Sequence, residues 1–478
     1  MRRYLSVLKT VLMKHLSLRI KNPEEKKRGK KMTRDKTDYL IIGNSAAGLS
    51  AAESIRTIDK KSRITVLCEE SHFNYSKPLI SYYLGGKIDI DKTYFKDKDF
   101  YSSNDIELKL ESKVEYVDSK KMYAKDSSKK EISFYKLLIS SGGRPIIPDI
   151  KVIDKNIKED VLTTRFDTIE NAFNLTTLDD AISLKKYVEK NHIDEAIILG
   201  GGLIGLKTAE AFLELKVKIS IIELADRILS TSFDTTASEI ISEKINQAQG
   251  KIFTGTTIDS IYTEDGKITG LKLSNSDEIP CKLLVVAIGV NPETDMIKDS
   301  GIKMDRGILV DEHMKTSMDN IYAAGDVVKT RDMLSGLQKN IAIWPLAVRQ
   351  GRIAGINMAG GKESYSGGFF MNSVEILGVP VVSIGLSSID ESTDKELKIY
   401  RQHKPESSIY RKIIVKDNHV IGAILVGSIE RAGIYAGLIN NKVDISGIKD
   451  NIAREDFGII QLPADYKKHL VIGDGIEV

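Results

Sequence analysis

A chain of 478 residues exceeds a single hydrophobic core and implies about three units. Its 41% hydrophobic and 29% charged residues exclude a disordered or fibrous protein, and no run reaches the ~18 apolar residues that span a bilayer. The net charge of +3 is unevenly placed: residues 1–37 hold 13 Lys and Arg against 3 acids, leaving residues 38–478 at −7, a balance that argues against nucleic-acid binding.

Leu5, Leu8, Leu12 and Leu16 recur at helical spacing among Lys9, Lys14 and Arg19. Such a basic amphipathic stretch suits an anionic membrane surface or a transit peptide. Residues 21–37 read as a solvated linker, and Met32 stands just before the first strand, so residues 1–37 are read as an extension outside the fold.

Asp38 to Ile42 is a short apolar run of buried-strand type. It leads into Gly43-Asn44-Ser45-Ala46-Ala47-Gly48 and then a helical pattern from Leu49 to Ile55. A strand, a glycine turn and a helix N-terminus aim backbone N–H groups and the positive end of a helix dipole at a pyrophosphate. Ser45 replaces the middle glycine of the usual G-x-G-x-x-G pattern. The second strand, Ser62 to Leu67, ends at Cys68-Glu69-Glu70, where an acid would hold a ribose diol. Glu69 is the first choice and Glu70 the reserve.

The pattern recurs at Glu195 to Leu199, followed by Gly200-Gly201-Gly202-Leu203-Ile204-Gly205 and a helix from Leu206 to Leu215. All three glycines are present: Gly200 for the turn, Gly202 for phosphate approach and Gly205 for helix–strand packing. The next strand, Lys218 to Ile222, ends at Glu223, whose carboxylate would accept the 2′-hydroxyl and repel a 2′-phosphate, favouring NAD(H) over NADP(H). Two dinucleotide units in one chain imply electron transfer between their ligands.

With these motifs, residues 38 to about 463 resemble the FAD-dependent pyridine-nucleotide oxidoreductases. Lys136 to Pro145 and Leu284 to Pro292 are similar to that family's crossover segments, and Thr316 to Asp326 to its second FAD motif. The resemblance implies an α/β fold of two Rossmann-like dinucleotide-binding domains, the NAD domain inserted in the FAD domain, with a C-terminal α+β interface domain. The limits it implies are FAD segments at 38–176 and 293–364, NAD at 177–292 and the interface domain at 365–478. It implies cofactor contacts from Ser141, Gly142, Gly289, Gly325 and Asp326, the last on the ribityl chain of FAD.

Tyr75 to Ser81 and Leu425 to Leu438 resemble the NADH:rubredoxin oxidoreductases and the flavin part of NADH nitrite reductases. Lys77, before Pro78, stands where relatives commonly carry a flavin-contacting Arg, so the charge stays and the bidentate donor is lost. Trp344-Pro345 opens a helix whose N-terminus, by family position, faces the flavin pyrimidine, with Trp344 as a contact. Relatives often pair a glutamate at the position of Lys207 with a lysine at that of Tyr82. Here the lysine has changed sides, and Lys207 is expected to face flavin N5 without its carboxylate partner and to stabilise anionic reduced flavin.

Cysteine-dependent relatives carry one or two cysteines after the first acidic strand; residues 71–86 contain none. Cys68 and Cys281 are read as packing thiols, with no metal site and a reducing, cytoplasmic setting. Strand-like runs at Val381 to Ile384, Tyr410 to Val415 and His419 to Val426 follow in the C-terminal part, which packs on another subunit, in a homo-oligomer, or on a redox partner. The expected activity is hydride transfer between NADH and FAD, with electrons passed to an iron–sulfur carrier of rubredoxin or ferredoxin type. The alternatives are an NADH oxidase reducing O₂ and an NADH-responsive binding flavoprotein.

Overall fold

A computed structural model describes residues 34–154, 168–389, 391, 394–464, 466 and 467. The expectation for residues 1–37 as an extension outside the fold lies beyond the described residues as far as residue 33, but at its end it is corrected: residues 35–37 begin the first strand, with Thr37 buried.

The first sheet contains β1 (Asp35–Ile42), β2 (Ile64–Leu67), β3 (Ile106–Lys109), β4 (Val114–Asp118), β5 (Tyr123–Asp126) and β6 (Glu131–Ile139). Their order is β3-β2-β1-β6-β5-β4, and the strand Ile321–Ala323 joins beside β6. Strands β1, β2 and β3 run parallel, with Tyr39 opposite Ile64 and Ile42 opposite Leu67. The apolar runs of β1 and β2 are buried because a parallel sheet is covered on both faces. The helix Ala46–Ile58 covers one face and is crossed by the helix Trp344–Met358. Glycine makes that crossing close: a Cβ on Gly351 would lie 2.1 Å from Ala47 O, and one on Gly355 would lie 2.4 Å from Ala51 O.

The second sheet is parallel throughout, in the order Lys251–Phe253, Lys218–Ile222, Glu195–Leu199, Leu284–Val286, Ala172–Asn174. The segments expected to cross between the two nucleotide units meet as a two-stranded antiparallel pair, Gly143–Pro145 with Val290–Pro292. Beyond residue 370, five antiparallel strands follow in the order Met371–Ile376, Val379–Gly385, His419–Val426, Ile409–Lys416, Lys398–Lys404. The helix Ala432–Asn440 packs on this sheet. One apolar cluster joins Tyr75, Ile80 and Leu84 to the second sheet and to Ile376, Val381, Tyr410 and Ile424.

The fold is therefore the expected mixed α/β arrangement with two dinucleotide-binding sheets and a C-terminal α+β unit. The helix expected to begin at Leu206 starts at Leu203, because Gly202 takes the cap position and Leu203 to Gly205 already form the first turn. No described helix is long and apolar enough to cross a membrane.

Candidate functional site

At the end of β1, Gly43 has φ +106°, and a Cβ there would lie 2.1 Å from Ser140 O. Gly48 is equally closed, 2.0 Å from Gly43 O. Gly43 is thus dictated by its positive φ and the nearness of Ser140, and Gly48 by the helix packing down on its own turn. Ser45 is the N-cap of the helix Ala46–Ile58, and its extended backbone (φ −122°) is open to any residue, so serine fits there without strain. Its hydroxyl makes no cap bond and the first turn carries no acid, so the helix N–H groups remain available to an anion. Beside them, buried Asn44 accepts from the Tyr101 hydroxyl at 2.8 Å, while its Nδ2 has no partner among the described residues. A buried amide donor of this kind wants an acceptor.

Gly325 (φ +85°) brings the second motif against the same helix: a Cβ there would be 3.1 Å from the Ala47 Cβ. Its N–H donates to Gln350 Oε1 at 2.9 Å. The adjacent Asp326 carboxylate hydrogen-bonds no described residue; burial pushes its pKa up, and the Lys77 charge opposes that rise. Lys77 donates to Thr176 O at 3.2 Å and lies 3.6 Å from Glu70. Glu70 also accepts the Tyr75 hydroxyl at 2.5 Å, so it is turned inward. Glu69 is exposed and meets only Lys113 among the described residues, at 2.6 Å. Pro78 is exposed in the turn Lys77–Leu79. Trp344 is half-buried and edge-on to Phe95 at 5.2 Å.

The expected crossover residues tie the joining strands together. Ser141 Oγ donates to Glu293 O at 2.7 Å, and Gly142 O accepts the Glu293 N–H at 2.9 Å. Gly289 (φ +108°) accepts from the Ile146 N–H at 3.0 Å.

In the second turn, a Cβ on Gly200 (φ +112°) would lie 2.4 Å from Ala287 O, and one on Gly205 would lie 1.9 Å from Gly200 O. A Cβ on Gly202 would meet nothing within 4 Å, so that glycine is not required by protein packing. Glu223 accepts the Gly201 N–H at 2.6 Å through Oε2 and the Ala225 N–H at 2.8 Å through Oε1. A carboxylate oxygen has two acceptor sites, so Glu223 keeps capacity for a ligand hydroxyl. Leu203 is half-buried and Ile204 exposed at the start of the helix Leu203–Glu214.

Tyr82 and Lys207 are brought together, with the ammonium 4.4 Å from the ring centre. The expected lack of a carboxylate partner is incorrect: Glu210, one turn along the same helix, pairs with Lys207. Glu210 is 5% exposed, and it also binds Lys87 at 3.0 Å, which in turn holds Glu214 at 3.0 Å. A buried carboxylate is unfavourable without such cations, so the pairing follows from its burial. The i,i+3 spacing of Lys207 and Glu210 is visible in sequence; the contribution of Lys87 is not. Lys207 also donates to Glu375 O at 3.1 Å.

Both cysteines are free and buried. Burial pushes the Cys68 thiol up to about 11 and that of Cys281 up to about 12, so neither is a thiolate near neutral pH. No cluster of three or more His, Cys, Asp or Glu that could hold a metal occurs among the described residues.

Residues 37–351 match a family model described as pyridine nucleotide-disulphide oxidoreductase. Residues 371–443 match one described as rubredoxin NAD+ reductase C-terminal domain. The chain is 29% identical over 426 residues to the NADH-dependent phenylglyoxylate dehydrogenase subunit epsilon of Aromatoleum evansii, covering 88% of this chain and 96% of that protein. It is 27% identical to the NADH-rubredoxin oxidoreductase of Clostridium acetobutylicum, covering 88% and 98%. The crystal structure of NADH:rubredoxin oxidoreductase from Clostridium acetobutylicum superposes with a TM-score of 0.69 at 25% identity, covering 87% and 97%.

Proposed function

The chain belongs to the pyridine nucleotide-disulphide oxidoreductase family, and from that premise we propose that it moves electrons from NADH through FAD to an external iron–sulfur carrier of rubredoxin or ferredoxin type. It is an NADH-dependent flavin oxidoreductase that binds FAD and NAD. The residues at the first turn fit FAD: the closed glycines Gly43 and Gly48, the unpartnered Asn44 amide and the unbonded Asp326 carboxylate make a cradle for a pyrophosphate and a polyol. Bound there, FAD supplies two-electron exchange with a nicotinamide and one-electron exchange with a metal centre.

The chain's own residues do the rest. The 43–48 turn and the helix N-terminus receive the pyrophosphate, Glu69 the ribose, and Asp326 the ribityl hydroxyls, with Lys77 beside it. Gly202 leaves room for the NADH phosphates, and Glu223 orients the adenine ribose while repelling a 2′-phosphate. Tyr82 and Lys207 border the place where the two ligands meet. The proposed limits are FAD at 38–176 and 293–364, NAD at 177–292 and an interface domain at 365–478, in a reducing cytoplasmic setting.

The observation that carries the outward route is the thiol chemistry: both cysteines are buried with raised pKa values, so no thiolate is available to take electrons from the flavin. The C-terminal match to a rubredoxin reductase domain supports a small redox protein as the acceptor. The similarity to the epsilon subunit of an NADH-dependent phenylglyoxylate dehydrogenase favours a second reading, in which the electron acceptor is a fixed partner subunit. Anaerobic titration of the purified flavoprotein with NADH and with NADPH, followed by rubredoxin, ferredoxin and O₂, tests the proposal. NADH is expected to bleach the flavin band and an iron–sulfur protein to restore it. Fast aerobic NADH consumption without a carrier would instead establish the oxidase reading.

A further inference from the structure

Lys412 takes no part in either nucleotide turn, yet its side chain is 1% exposed. Its ammonium lies 3.2 Å from Asp234 Oδ2 and 2.9 Å from Glu391 Oε1. Two residues earlier on the same strand, buried Tyr410 donates its hydroxyl to Asp234 Oδ2 at 2.7 Å. Asp234 caps the helix Thr235–Gln247, accepting from the Ala237 N–H at 3.2 Å, and closes loop 224–234, which follows Glu223. Ser387 and Ser388 add hydroxyl bonds to Ser232 O at 2.8 Å and to Ser230 O at 2.7 Å.

The middle of this loop presses on the glycine turn. Leu229 N–H donates to Gly201 O at 2.9 Å. The Ile228 side chain occupies the space beside Gly201, 2.8 Å from where a Cβ would stand. Glu223 holds the Gly201 N–H from the other side. Residues 200–202 are therefore gripped by a loop whose end is fastened to the C-terminal sheet through a buried ion pair and three hydroxyl bonds.

We propose that the C-terminal unit is a working part of the NADH site: Tyr410 and Lys412 are positioning residues that hold loop 224–234 against the 200–202 turn and so set the affinity for the dinucleotide. A buried ammonium is tolerated only with its counter-charges in place, which makes the pair geometrically demanding. A loop fixed before the ligand arrives need not be ordered on binding, and that saving appears as affinity. The inference rests on the reading of residues 200–205 and Glu223 as the NAD site.

The test uses the FAD-loaded full chain. NAD⁺ is titrated calorimetrically, and NADH turnover is followed with ferricyanide as acceptor. Lys412→Met is expected to raise the Kd for NAD⁺ and the KM for NADH about tenfold. The kcat at saturating NADH, the FAD content and the visible spectrum are expected to stay as in wild type. Tyr410→Phe, which deletes one hydroxyl, shifts both constants the same way by a smaller factor. Adding Asp234→Asn to Lys412→Met recovers part of the affinity, since Asn caps a helix as well as Asp and leaves no unpaired buried charge. Wild-type Kd and KM in both folded single variants would overturn the inference, and if Lys412→Met does not fold, Tyr410→Phe decides alone. A wild-type protein that fails to bind NAD⁺ overturns the site assignment itself, and the inference with it.

Discussion

The Lys207 ammonium lies 4.4 Å from the ring centre of Tyr82, with the buried Glu210 carboxylate paired to the same ammonium. Tyr82 comes from the segment after Pro78 and Lys207 from the helix after the second glycine turn, so the contact joins the two nucleotide-binding units. On the proposed reading, the flavin meets a neutralised lysine at this junction rather than a bare charge. Glu210→Gln is expected to raise the flavin midpoint potential, because the freed positive charge favours the anionic reduced form. Lys207→Met is expected to lower it, each shift being on the order of 20–40 mV for about 1–2 kcal/mol of charge interaction. Dye-equilibrated anaerobic redox titration measures both, and unchanged potentials in the two variants would reduce Lys207 to a structural joint.

Gly202 and Gly205 separate ligand approach from packing. A Cβ on Gly202 meets only open space, whereas one on Gly205 meets Gly200 O at 1.9 Å. Gly202→Ala should leave thermal stability within about 0.5 kcal/mol of wild type. It should raise the NADH KM about tenfold, equivalent to roughly 1.4 kcal/mol of lost phosphate contact. Gly205→Ala should cost about 3 kcal/mol or more of stability, since backbone atoms cannot yield. Thermal melts beside steady-state kinetics distinguish them, and equal behaviour of the two variants would contradict the geometry.

Glu223 clamps Gly201 and, on the proposed reading, also holds the ribose hydroxyl of NADH. Glu223→Gln removes the charge while keeping the shape. The preference for NADH over NADPH in kcat/KM should then fall about tenfold. Retained discrimination would move the selecting residue elsewhere.

Asp326 predicts opposite effects on stability and on binding. Burial raises its pKa in the folded apoprotein, so that state binds a proton more tightly than the unfolded chain does. Apoprotein stability is therefore highest below the unfolded value and falls as pH rises towards the folded one. Asp326→Asn should make the flavin-free protein melt at a higher temperature at pH 7 and weaken FAD binding. Apoprotein melting curves from pH 4 to 7, with FAD titration at pH 7, check both signs; a destabilised apoprotein would refute the argument.

The thiols should be silent. With pKa values pushed to about 11 and 12, Cys68 and Cys281 should resist iodoacetamide at pH 8 in the native protein. The double variant Cys68→Ala/Cys281→Ala should keep NADH-to-acceptor turnover within about twofold, at a stability cost of about 1 kcal/mol per site. Lost turnover in a folded, FAD-loaded double variant would return a thiol to the electron route.

The two glycine turns were legible in sequence because their requirement is local: a positive φ at Gly43 and Gly200, and a helix packed onto its own turn at Gly48 and Gly205. The acids at strand ends were legible for the same reason, since a parallel strand delivers its last residue to the ligand edge of the sheet. Ser45 weakened the first fingerprint, and its extended backbone takes serine without strain.

The sequence by itself thus determined the two glycine turns, the acids that follow their second strands and the absence of cysteine from residues 71–86. Only the tertiary structure decided that Lys207 is neutralised by Glu210, that Lys87 shares that carboxylate, and that Lys412 reaches Asp234 across the chain. Periodicity and spacing report which face of an element is buried. They carry no information about which distant face covers it, and the pairing of buried charges depends on that choice.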